Sequence, residues 1–179
     1  MAIREIVFVP DPVLRKKAKT VTKFDEKLQT LIDDMVETMR AAPGVGLAAP
    51  QVGVPERVIV VEYYENEEAE EDEEAEEAPK RLYPTVTPKT TRRSTELEEG
   101  TEGCLSVPGY QGEVERHLFI TVKGQNRHGQ PVTLKLKDWT ARIFQHEIDH
   151  LDGVLYIDRA SKVWKIPEEE QENDAALRE

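Results

Sequence analysis

With 179 residues, 36 of them acidic and 24 basic, the chain has the length of one domain and a net charge of -12. Ten acids fall in residues 65–77 and six in 167–179, leaving 20 acids against 23 bases elsewhere, so the global acidity says little about function. A single cysteine, Cys104, excludes a disulfide-stapled secreted fold and fits the reducing cytoplasm, and the longest aliphatic run, Val58–Val61, is too short to cross a membrane.

The N-terminal residues lack a basic start followed by an apolar stretch, so no signal peptide is expected. Asp11-Pro12 offers an N-cap acceptor and a first-turn proline, which predicts a short helix over about 12–18. Leu28, Leu31, Ile32, Met35, Val36 and Met39 recur on one face of a 3.6-residue period. Thr22-x-x-Asp25 reads as the capping box of that helix, with Asp replacing Glu, and Pro43-Gly44 ends it. Arg57–Tyr64 reads as a buried strand. Residues 65–78 carry dense like charge and no aromatic or branched aliphatic side chain, so disorder is expected there. They also lack the alternating acids and central glycine of a calcium loop. Strand character resumes over Leu82–Thr91. A hairpin follows, with one strand over His117–Lys123, a turn at Asn126–Gly129 and a return through Val132, Leu134 and Leu136. His117 and His128 are expected to be solvated there. Asp138 is expected to cap a second helix over about 139–151, stopped by Gly153. Its apolar residues fall on several faces, which predicts burial, so its polar residues need a reason.

That reason begins with His146-Glu147-Ile148-Asp149-His150. Histidines at i and i+4 share one helix face and can grip one metal ion, while the Glu beside the first can act as general base on a water. A catalytic site takes three protein ligands and leaves one position open. No suitable third ligand lies downstream, so Cys104 in Glu102-Gly-Cys104-Leu-Ser106 becomes a plausible partner for the two histidines. The segment Gly44-Val45-Gly46-Leu-Ala-Ala-Pro-Gln51 follows a helix rather than a strand, which argues against dinucleotide binding. Its small residues would let a substrate backbone come close, and Gln51 offers an amide donor for a developing oxyanion.

In this order, Gly44-x-Gly46-Leu-Ala-Ala-x-Gln51, Glu102-Gly-Cys104-Leu-Ser106 and Gln145-His-Glu-x-Asp-His150 resemble the three signature motifs of peptide deformylase. The resemblance spans roughly residues 3–160. It implies an α+β fold, with antiparallel sheets packed around a central buried helix that carries His-Glu-x-x-His. It implies hydrolysis of the N-formyl group from the initiator methionine of new polypeptides, releasing formate. Cys104, His146 and His150 would ligate one divalent ion, with iron(II) the expected metal and zinc, nickel or cobalt also accepted by such a set. Glu147 would be general base and then general acid. The Gln51 side chain and the Leu105 backbone N–H would hold the oxyanion, and Gly46 would pair with the peptide backbone. Arg142 and Ile143, at i−4 and i−3 from His146, would point the same way and bind substrate, with Ile143 and Val45 lining the methionine pocket. Glu102 and Arg116 match positions that pair in the family and would brace the Cys104 strand, unless they form only a surface ion pair.

Three departures from the family pattern stand out: Tyr83-Pro84 replaces the expected Asn-Pro, the insertion at 65–78 is acidic, and so is the tail at 167–179. Some relatives dock on the ribosome through a basic C-terminal helix, and carboxylates here would repel ribosomal RNA. The expectation is therefore one domain over 1–179, acting on N-formylmethionyl nascent polypeptides. Transient ribosome contact is allowed, while nucleic-acid recognition and membrane contact are not expected. The competing readings are a metallopeptidase and a catalytically silent, metal-stabilised binding module, which would need a fourth protein ligand.

Overall fold

A computed structural model describes residues 2–64 and 80–167, so the acidic stretch at 65–78 and nearly all of the acidic tail lie outside the described residues. Asp11 accepts the Val13 N–H at 3.0 Å and starts a single 3-10 turn, Pro12–Arg15, shorter than the helix expected there. Helix α1 spans Glu26–Ala41 and buries Leu28, Leu31, Ile32, Met35, Val36 and Met39, the face its periodicity marks. Its cap is Asp25 itself rather than Thr22. Asp25 has extended backbone and accepts the Leu28 N–H at 3.1 Å, so the expected capping box is displaced by three residues.

The remaining elements run β1 Gly46–Ala48, β2 Val58–Tyr64, β3 Lys80–Arg93, β4 Leu97–Cys104, β5 Val107–His117, β6 Phe119–Gln125, β7 Pro131–Lys137, α2 Asp138–Leu151, α3 Tyr156–Arg159 and β8 Lys162–Lys165. They form two antiparallel sheets, one in the order β1-β2-β3-β6-β7 and one in the order β4-β5-β8. The aliphatic run of β2 is continuous because both faces of this strand are covered. Val58, Val60 and Val86 pack with α1, while Ile59, Val61, Ile120, Val122 and Leu136 pack with Phe144, Ile148 and Leu151 of α2. Val107 and Val114 of the smaller sheet form a further cluster with Leu155 and Tyr156. Each fully buried aliphatic side chain contributes about 1.5–3 kcal/mol of transfer free energy, and these clusters fix α2 between the sheets. No described helix is long and apolar enough to cross a membrane.

Three expectations need correction. Asp138 is not the cap: Lys137, in extended backbone, holds the N-cap position without a side-chain bond, and Asp138 is the first residue of α2, at φ +53. Its N–H instead donates to the Leu118 carbonyl at 2.9 Å and so fixes the passage from β7 into α2. His117 does not begin the hairpin; it ends β5, half-buried, with Nδ1 2.7 Å from the Ser94 carbonyl and its backbone N–H bonded to Gln145. His128 is exposed, as expected. Strands β4, β5 and β8 were not read from the sequence. In β5 the inward positions 112, 114 and 116 are Gly, Val and Arg, which hides the alternation of a half-buried strand.

Candidate active site

Helix α2 places His146 and His150 one turn apart, with ring centroids 5.1 Å from each other. β4 ends at Cys104, and Leu105-Ser106 form the turn that returns the chain into β5. Cys104 Sγ thereby comes to 3.4 Å from His150 Nε2. One ligand atom from each of Cys104, His146 and His150 lies within 4.8 Å of the others. Gln51 reaches the group from the 3-10 turn Ala49–Val52. Its Oε1 accepts the Ala48 N–H at 3.0 Å, and its Nε2 donates to Ser106 Oγ at 3.1 Å and points at Cys104 Sγ at 3.6 Å. The amide orientation is therefore fixed from both ends.

Glu102 lies two residues before Cys104 and is buried. Its Oε1 accepts from His146 Nδ1 and Arg116 NH2, each at 2.8 Å, and its Oε2 accepts from Arg116 Nε at 2.9 Å and Arg142 NH1 at 2.7 Å. Arg116 also bonds Asp149 at 2.6 Å, and Asp149 is held in turn by Arg159. The Glu102–Arg116 pair is thus a buried bidentate brace, not a surface ion pair. With its Nδ1–H given to Glu102, His146 has Nε2 left for the Cys104 group.

The cleft in front of this group has a volume of about 680 Å³, and its lining includes Val45, Gly46, Leu105, Ile143 and Glu147. Gly46 lies against Glu147: a Cβ there would be 2.9 Å from the carboxylate oxygen Oε1. Ile143 is buried and Val45 is exposed at the mouth. Arg142 also lines the cleft, and its guanidinium is held by three partners. NH1 bonds Glu102 and the Val114 carbonyl at 2.9 Å, and NH2 bonds the Glu98 carbonyl at 2.6 Å. The bare Cα of Gly100 makes room for it, since a Cβ there would lie 2.8 Å from Cζ. Sequence reasoning also missed Tyr156, whose ring stacks on His146 with centroids 6.0 Å apart and planes at 20°. No motif signalled it, because α3 reaches His146 only through the fold.

Residues 3–165 match the pattern of the family described as polypeptide deformylase. The chain belongs to that family. It is 45% identical to the peptide deformylase of Desulforudis audaxviator (strain MP104C), over 94% of this chain and all of that protein. The crystal structure of peptide deformylase from Thermotoga maritima superposes with a TM-score of 0.79 at 43% identity, covering 90% of this chain and 100% of that one. The deformylase of Ehrlichia chaffeensis in complex with actinonin superposes with a TM-score of 0.80 at 40% identity, covering 90% and 91%. The enzyme is accordingly a metal-dependent hydrolase that removes the N-formyl group from newly made polypeptides. Neither the metallopeptidase nor the silent binding module is favoured.

The electrostatics of the enzyme fit a metal-ligating site. Burial would raise the Glu102 carboxyl, but the Arg116 and His146 bonds outweigh it and hold it at about 2. Burial, the neighbouring His146 charge and Arg116 keep His150 neutral, the state a ligand needs. Burial lowers His146, while its bonds to Cys104 and Glu102 raise it further, so in the metal-free chain it favours the proton that ligation expels. Burial raises Glu147 to about 7, helped by the Glu102 charge and opposed by His146. Its Oε2 and His150 Nδ1 are buried without a hydrogen-bond partner among the described residues. Three donors of thiol and imidazole type, closed on one side by Glu102 and open toward the cleft, suit one divalent ion.

The depressed Glu102 carboxyl stabilises the fold above its ordinary value of 4.5, and that contribution is lost as pH falls toward 2. Chemical denaturation of the metal-free protein is expected to show roughly 3 kcal/mol of stability lost in this window that Glu102→Gln does not lose. Identical pH slopes for the two proteins would contradict the assignment.

Proposed function

We propose that Cys104, His146 and His150 hold the catalytic ion, with Glu147 as the proton-transfer residue of deformylation. The observation that carries this reading is the convergence of those three donor atoms within 4.8 Å, beside a carboxyl raised to about 7. When bound, the ion supplies Lewis acidity and makes a water nucleophilic at neutral pH. Glu147 takes the proton of the attacking water and delivers it to the departing amine nitrogen, so the formyl C–N bond breaks with formate and a free amine as products. A pKa near 7 suits both halves of that transfer. The Gln51 amide, fixed by Ala48 and Ser106, and the Leu105 backbone N–H donate to the oxyanion as it forms. Gly46 pairs with the peptide backbone beside Glu147, and Val45 and Ile143 line the side of the methionine. Arg142 acts through Glu102 rather than on substrate.

The same reading covers what surrounds the site. One domain spans the chain, with the acidic stretches at 65–78 and 167–179 as appendages. The lone cysteine supports a reducing cytoplasm, where nascent formylated chains arise. Iron(II) is the native ion in this reading, and the mixed thiol and imidazole donors would accept zinc, nickel or cobalt as well. Transient contact with the ribosome belongs to this reading too.

The direct test is formate release from a short formyl-methionyl peptide, with and without chelator. Glu147→Gln is expected to retain the metal yet lose about 10²–10⁴-fold in rate, since an amide cannot accept the proton. Activity within about threefold of wild type would remove Glu147 from this role. Protein loaded anaerobically with iron(II) is expected to lose activity in air faster than the zinc form, with oxygen found on Cys104 by mass spectrometry. Equal durability of the two forms would count against Cys104 as a ligand of an oxidisable ion.

A further inference from the structure

Three neighbouring strands of the larger sheet contain no acidic residue. β3, β6 and β7 together hold eight lysines and arginines. Outside the two acidic stretches, where 23 bases stand against 20 acids, eight charges that are all basic would arise by chance about once in 150.

Strand register gathers most of them on one face. Lys89 pairs with Lys123, which pairs with Thr133; Arg92 pairs with Thr121, which pairs with Lys135; Phe119 pairs with Lys137. Directly opposed residues share a face, so Lys89, Arg92, Lys123, Lys135 and Lys137 stand together, while Ile120, Val122 and Leu136 enter the core on the other side. All five cations are exposed, and none has an ion-pair or hydrogen-bonding partner for its side chain among the described residues. Phe119 is 48% exposed among them. At the borders, Asp33 of α1 is taken by Arg127, and Glu96 and Asp138 flank the Phe119 end. Opposing Lys89 to Lys123 weakens a sheet rather than strengthening it. No acid among the described residues pairs with these cations, which points to an anion from outside the described fold.

We propose that this face of β3, β6 and β7 is a docking surface for the phosphate backbone of folded RNA. Strands spaced about 4.8 Å apart present a planar lattice of cations, which matches a surface of closely spaced phosphates better than a single carboxylate. The Thr121 and Thr133 hydroxyls suit phosphate oxygens, and the Phe119 ring can stack on an exposed base. Backbone contacts carry no sequence information, so this is attachment without nucleic-acid sequence recognition. The strip ends at Lys137, two residues before Trp139, which lines the cleft, so attachment here brings the cleft beside the anchored surface. For the source of the RNA the proposal rests on the ribosome contact proposed above, but its test does not depend on deformylation.

The test is fluorescence anisotropy of the full chain with a labelled RNA duplex and with polyglutamate of equal charge. Binding to the duplex is expected at low salt, with a log–log salt slope of about -3.5 to -4.5 for four to five phosphate contacts. The triple variant Lys89→Glu, Lys123→Glu, Lys135→Glu is expected to weaken RNA binding more than about tenfold. Its formate release from a short formyl-methionyl peptide should stay at the wild-type rate, which also shows that it folds. A control of equal charge change, Lys16→Glu, Lys17→Glu, Lys162→Glu, is expected to keep binding near wild type. An equal loss in the control would reduce the effect to net charge and overturn the proposal. So would absence of RNA binding by wild type, or polyglutamate binding as tight as RNA, which would assign the face to an acidic polypeptide such as residues 65–79 of this chain.

Discussion

The site depends on one carboxylate. Glu102 accepts hydrogen bonds from α2 through His146, from β5 through Arg116, and from α2 again through Arg142. Burying an isolated carboxylate would be prohibitive, and burying four charges is costly even when they pair. Here Glu102 and Asp149 balance Arg116 and Arg142, so the buried set is neutral. What the arrangement secures is geometry. The residue two positions before Cys104 is tied to the imidazole that must meet Cys104, so β4 and α2 cannot drift apart without breaking charge-assisted bonds.

The larger fold serves the same end. β2 is apolar on both faces because α1 covers one and α2 the other, and this sandwich holds α2 at fixed depth. Polar residues on a buried helix would ordinarily be a defect. On α2 these have uses: Gln145 bonds the His117 backbone, His146 and Asp149 join the Glu102 network, Glu147 keeps an unpartnered oxygen beside the cleft, and His150 turns Nε2 to Cys104. Unsatisfied buried atoms beside three convergent donors mark where reactants and an ion belong.

Legibility in the sequence followed chain distance. His146, Glu147 and His150 were readable because helical geometry converts a four-residue spacing into a shared face. Helix α1 and the β6–β7 hairpin were readable from apolar periodicity. For Arg142 its place four residues before His146 gave only a direction; its partners Glu98 and Glu102 on β4, and the space left by Gly100, come from the fold. Tyr156 and Ser106 act through contacts that no local pattern encodes. Strands β4 and β5 escaped because their inward positions are Glu, Gly and Arg as well as Val, residues chosen for the network rather than for a core.

The claim that Glu102 organises the metal-binding geometry can be tested by measuring the zinc dissociation constant of Glu102→Gln against wild type, by competition with a chromophoric chelator at neutral pH. The account predicts a folded protein, judged by its circular dichroism spectrum, whose affinity for zinc is weaker by about 10–100-fold. A folded variant that binds zinc as tightly as wild type would contradict it.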